Sequence, residues 1–179
     1  MLKKILLTLA VIIIGFVIVV AVQPADFTIQ RSATISAPPA VIFAQVNDLH
    51  KMQDWSPFAK IDPAAKTTYE GAPSGTGASF TWSGNAQAGA GRMTITDSRP
   101  GELVQSRLEF TKPFEATNTV QFTFQPQGNQ TVVTWSMSGR NGFLGKAIGL
   151  FMNCDKMVGT EFEKGLADLK TLSEGLAKQ

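Results

Sequence analysis

The chain has 179 residues, with 16 Lys or Arg against 14 Asp or Glu, one histidine and one cysteine. A lone cysteine excludes an intramolecular disulfide, and a lone histidine excludes a 2-His-1-carboxylate iron site. Two of the basic residues are Lys3 and Lys4, so the rest of the chain is formally neutral and lacks the clustered basic face that nucleic acid requires.

The first element is an 18-residue run, Ile5 to Val22, with no charge and one hydroxyl, Thr8. As a helix it measures about 27 Å, close to the ~30 Å hydrocarbon core of a bilayer. Its apolar core is longer than the roughly 7 to 15 residues of a cleavable signal peptide. An uncleaved signal anchor over residues 1–25 is therefore expected, followed by one domain over 26–179. Cleavage after Ala21, with Val19 at the third position back, is the alternative. Because the flanking lysines lie only on the N-terminal side, the positive-inside rule predicts an extracytoplasmic domain, periplasmic in a Gram-negative bacterium.

From Asp26 the pattern alternates, with Phe27, Ile29, Ala33 and Ile35 on one side and Thr28, Gln30, Ser32, Thr34 and Ser36 on the other. This predicts a half-buried strand. Ser36-Ala37-Pro38-Pro39 then reads as a helix start, with a short helix ending near Asp48. A second short helix is expected from Leu49, breaking at Ser56-Pro57.

After Asp62-Pro63 six strand-like segments follow, cut by Gly71-Ala72-Pro73-Ser74-Gly75, Gly84-Asn85, Arg99-Pro100-Gly101, Lys112-Pro113 and Gln127-Gly128-Asn129. Such short connections demand antiparallel pairing. Phe143 to Met152 reads as a separate helical turn or two. The last 25 or so residues place Val158, Phe162, Leu166, Leu169, Leu172 and Leu176 on one face of a long helix, which needs the apolar face of the sheet as its partner.

This order resembles the START-related, Bet v 1-like superfamily of helix-grip proteins (SRPBCC), in its polyketide cyclase/dehydrase-like branch. The resemblance runs from Asp26 to Glu174. It is carried by Ile35-Ser36-Ala37-Pro38-Pro39-Ala40-Val41-Ile42-Phe43, Trp55-Ser56-Pro57-Phe58, Gly75-Thr76-Gly77-Ala78, Trp82-Ser83-Gly84-Asn85 and Gly91-Arg92-Met93-Thr94-Ile95. Val133-Thr134-Trp135-Ser136-Met137 and Gly165-Leu166-Ala167-Asp168-Leu169-Lys170 complete the set. The resemblance implies an α+β helix-grip fold, a seven-stranded antiparallel sheet curled around the C-terminal helix, with an internal cavity for apolar or amphipathic small molecules. Fold alone does not choose among the activities of so varied a superfamily.

By alternation Phe80, Trp82, Met93, Phe122, Trp135 and Met137 point to the concave face, where with Trp55 they are expected to line the ligand cavity; packing the core is the competing role for each. The inner face offers almost no titratable group, and Arg92, Arg107 and Glu109 fall on the outer one. His50, between the short helices, is expected to be a solvated loop residue, and Cys154 a buried thiol. No cofactor or metal is expected. The reading is a membrane-anchored, non-catalytic domain that binds a lipid-like molecule. The alternatives are a cyclase/dehydratase enzyme using Asp54, His50 or Tyr69, and a protein-interaction module whose interior is filled by side chains.

Overall fold

The computed structural model describes residues 1–178. Leu2–Ala21 form α1, a 20-residue helix long and apolar enough to cross a membrane. The domain follows as β1 (Asp26–Ile35), α2 (Pro39–Val46), α3 (Leu49–Trp55), a 3-10 turn (Pro57–Lys60) and six further strands. These are β2 (Lys66–Gly71), β3 (Ala78–Ser83), β4 (Ala90–Arg99), β5 (Leu103–Lys112), β6 (Ala116–Gln127) and β7 (Gln130–Arg140). Two helices end the chain, α4 (Phe143–Gly149) and α5 (Cys154–Leu176).

The seven strands form one antiparallel sheet in the order β1-β7-β6-β5-β4-β3-β2. Five neighbouring pairs are joined by short connections. The sixth, β1 with β7, brings together the first and last strands, with Asp26 opposite Arg140. The turns use glycines in the left-handed region, as at Gly101 (φ 71°) and Gly128 (φ 59°), where a side chain would strain the backbone. This is the expected α+β helix-grip architecture, with the strands ending at the turn segments expected from the sequence.

The short helices cap one end of the sheet. Asp48 accepts from the backbone N–H of His50 (2.9 Å) and Lys51 (3.4 Å), an N-cap that starts α3. His50 therefore sits in the first turn of a helix, not in a loop as expected from sequence. Helix α3 stops at Trp55 because Ser56, preceding Pro57, is held extended.

Helix α5 lies chiefly on β1, with lesser contact to β7. Phe162, Leu166 and Leu169 are buried as the apolar stripe requires, but Leu176 is exposed and Gly159, Gly165 and Ser173 are buried instead. Close approach explains the glycines. A Cβ on Gly165 would stand 2.7 Å from Trp135 Cζ3 and 2.8 Å from Pro57 Cδ, and one on Gly159 would meet the Arg31 guanidinium at 2.0 Å. Polar clasps fasten the same helix to β1 and its end: Ser36 N donates to Glu174 Oε1 (2.8 Å) and Lys170 Nζ to Thr34 O (2.7 Å).

Candidate functional site

Trp135 is the centre of the interior. Its ring stacks on Phe162 of α5 at 4.2 Å and 10°, and on Phe122 at 4.8 Å and 30°. Trp55 meets Trp135 edge-on at 5.6 Å and Phe122 at 5.9 Å, and its Nε1 donates to Gln45 O at 3.1 Å. Trp135 Nε1, fully buried, has no acceptor among the described residues. Three of the seven residues singled out from sequence, Trp55, Phe122 and Trp135, thus pack against one another and fill the space beneath α5.

Three more lie along the inner face beyond the reach of that helix. Phe80 pairs in register with Tyr69 on one side and Met93 on the other, and Met93 pairs with Leu108. All four are half-buried. Trp82 lies across Gly91, where a Cβ would meet its ring at 2.4 Å, and donates Nε1 to Ala88 O at 3.0 Å. A register shift at Ala90/Gly91 marks the bulge that admits it.

The seventh, Met137, belongs to a different place. A cleft of about 640 Å³ opens between the first residues of β1, the end of β7 and the α4–α5 joint. Phe27, Ile29 and Met137 form its sheet wall, and Leu150, Phe151, Met152 and Val158 its helical wall. Its volume falls within the roughly 300–1,000 Å³ of small-molecule sites. Alternation had put Phe27 and Ile29 on the right face, but the contribution of residues 150–152 depends on how α4 folds back, which no local pattern reveals.

The cleft has little acid–base capacity. Asp155 lines it but is engaged: Arg31 Nη2 donates to Asp155 Oδ2 at 3.0 Å, while Arg31 Nε donates to Glu163 Oε1 at 2.8 Å. The guanidinium holds the Asp155 carboxyl below the usual carboxylate range, and the two carboxylates, Asp155 first, raise Arg31. Cys154, also on the wall, is exposed. The expectation of a buried thiol fails because Cys154 is the first residue of α5, ahead of the point where the helix meets the sheet.

His50 and Tyr69 come together at the other end of the sheet, stacked with ring centroids 3.6 Å apart at 21°. Burial raises the Tyr69 pKa, and the negative charges of Asp48 and Asp54 add to the shift. The two rings line a hollow of only about 160 Å³, small for an organic substrate. Among the described residues no three of His, Cys, Asp and Glu converge as a metal site would require.

The sequence pattern of the polyketide cyclase/dehydrase and lipid transport family matches residues 26–174. The chain belongs to this family. Solved structures agree on the fold of this family member. The di-domain ARO/CYC StfQ from the steffimycin biosynthetic pathway is 11% identical with a TM-score of 0.63, covering 87% of this chain and 53% of that one. A protein from Mesorhizobium loti is 16% identical (TM-score 0.60; 82% of this chain, 96% of that one). The Aha1 dimer from Colwellia psychrerythraea is also 16% identical (TM-score 0.58; 83% and 96%). At such identities the likeness concerns the fold alone. No curated protein matches the chain in sequence.

Proposed function

We propose that this family member is a membrane-anchored domain that binds an apolar or amphipathic, lipid-like molecule without transforming it. The observation that carries the reading is the cleft of about 640 Å³, amphipathic in its lining, with Phe27, Ile29, Met137, Leu150, Phe151, Met152 and Val158 beside the polar Thr28, Asn141 and Asn153, and with its one carboxylate already paired to Arg31. General acid–base chemistry asks for two groups of separated pKa beside the substrate, and the cleft offers no such pair. The family description, which joins cyclases and dehydrases with lipid transport, is compatible with a carrier.

In this reading α1 stays in the membrane as a signal anchor, residues 26–179 form the binding domain, and Lys3 and Lys4 keep the N-terminus cytoplasmic, leaving the domain extracytoplasmic. A tethered domain meets membrane-soluble ligands at high effective concentration. Met137 contacts the ligand directly. Phe80, Trp82 and Met93 offer a separate apolar surface along the inner face, and Trp55, Phe122 and Trp135 fill the core beneath α5.

The test is native mass spectrometry of residues 24–179, secreted and purified without detergent, with denaturing extraction of any adduct. A reproducible apolar adduct, absent from Met137→Trp and Val158→Trp variants that fill the cleft, is expected. An adduct retained in both variants would overturn the cleft assignment. A clean apo mass after incubation with a lipid extract would remove the carrier reading in favour of a partner-binding module.

One observation favours an enzyme as the second reading: the stack of His50 on Tyr69, two groups able to exchange protons, within the fields of Asp48 and Asp54. It requires turnover of a polyketide-like substrate that collapses in both His50→Ala and Tyr69→Phe.

A further inference from the structure

Most of the domain's exposed large apolar side chains lie in one segment. Outside residues 1–22, ten large apolar side chains are exposed among the described residues, and six of them are Phe143, Leu144, Leu150, Phe151, Met152 and Met157. Phe151 is 80% exposed and Phe143 53%. Between Phe143 and Met152 the only charge is Lys146. Monomeric soluble proteins seldom leave such a patch to water.

The patch is continuous with α1. Phe151 stacks on Phe16 (centroids 6.4 Å apart, 28°), Val20 is fully buried, and Lys146 Nζ donates to Ala21 O at 3.1 Å. Ala21 ends α1, so the lysine meets the unpaired carbonyls of a helix C-terminus, where a cation is favoured and where the chain leaves the apolar run. Phe16 lies five residues earlier, about 7.5 Å deeper along the axis at ~1.5 Å per residue. A side chain that reaches Phe16 therefore lies at the depth of roughly 5–10 Å at which interfacial helices bury their apolar face. The β5–β6 turn, at the same end of the sheet, adds the exposed Phe114.

We infer that residues 143–157 are a second membrane-contacting element, lying in the bilayer interface beside α1, so that the cleft walled by Leu150, Phe151 and Met152 opens into lipid. This rests on the reading of α1 as a membrane anchor and sharpens it: an apolar ligand passes between bilayer and cleft without crossing water. Lys146 marks the level of the headgroups, with Phe143, Leu144 and Phe151 below it and the sheet above.

The test uses the full chain in vesicles of equal parts phosphatidylcholine and phosphatidylglycerol. In a Cys154→Ser background, Phe151→Cys, Ile12→Cys and Gln125→Cys are each labelled with an environment-sensitive fluorophore, and lipids spin-labelled either high or low on the acyl chain are added as quenchers. Labels at 12 and 151 are expected to lose emission by about two-fold or more, as interfacial and embedded sites do, while the label at 125, at the opposite end of the sheet, keeps its signal. Quenching at 12 without quenching at 151 overturns this inference and leaves the anchor reading standing. A blue-shifted but unquenched label at 151 that reverts on dilution assigns the patch to a second copy of the chain and likewise overturns it. Absence of quenching at 12 removes the anchor reading and this one with it.

Discussion

Arg31 extends from the inner face of β1 to Asp155 in the first turn of α5, its Nη2 3.0 Å from Asp155 Oδ2 and 3.1 Å from Asp155 O. A charged residue on the otherwise apolar face of β1 thus fixes where the long helix begins, and the missing side chain at Gly159 leaves room for it. The pair predicts an acid dependence. Because the native Asp155 pKa is depressed, its contribution to stability is fully present above the ordinary aspartate value and is lost as pH falls through the depressed one. Asp155→Asn should therefore be less stable than the parent at neutral pH in urea denaturation, with the gap closing as pH drops below the ordinary aspartate range. A gap independent of pH would mean that packing, not charge, holds the joint.

Helical glycines should split by sign. Gly175, with open space around its Cβ position, should gain about 0.4–1 kcal/mol on substitution by Ala. Gly165→Ala gains the same helical preference but drives a methyl into Trp135 and Pro57, an overpacking cost of about 1–3 kcal/mol. Urea midpoints of the two variants should move in opposite directions.

The stack around Trp135 predicts a large loss for Trp135→Ala, about 3–5 kcal/mol by the general cost of emptying an aromatic site. Met137→Ala, half-buried on the cleft wall, should cost less stability and more ligand. Thermal unfolding together with adduct mass separates the two. Equal loss of adduct at equal loss of stability would make Met137 a core residue and nothing more.

Tyr69 is the single tyrosine, so its titration can be followed by tyrosinate absorbance without assignment. Burial favours the neutral phenol, so the midpoint should lie above the ordinary tyrosine value, and Asp48→Asn should move it part of the way back. The linked stability is present below the unfolded tyrosine pKa and is lost as pH rises through the raised native one. A midpoint at or below the ordinary value would refute the burial.

Strand and helix boundaries were legible because the turn residues are local: Gly101 and Gly128 punctuate hairpins whatever lies across the sheet. The stripe of α5 was legible at Phe162, Leu166 and Leu169. It misled at Leu176, and it passed over Gly159 and Gly165, because a helix that approaches a sheet closely does so through residues without side chains. Arg31 was passed over for a related reason: an alternation pattern sorts residues by polarity, and a paired arginine on the apolar side breaks it. The seven candidate ligand residues all face inward or pack in the interior, yet inward residues divide among a filled core, a half-covered wing and a cleft. Only the resting place of α4 and α5 draws those lines.

The pairing of β1 with β7 also bears on how the domain is made. Strands β2 to β7 can assemble as successive hairpins while the chain emerges, but β1, held next to α1, has no partner until β7, from Thr131 onward, has been synthesised. Contacts of such long sequence separation form slowly because loop closure precedes any gain. The order of synthesis thus leaves β1 unpaired longest, and closing the sheet joins the two ends of the domain beneath α5.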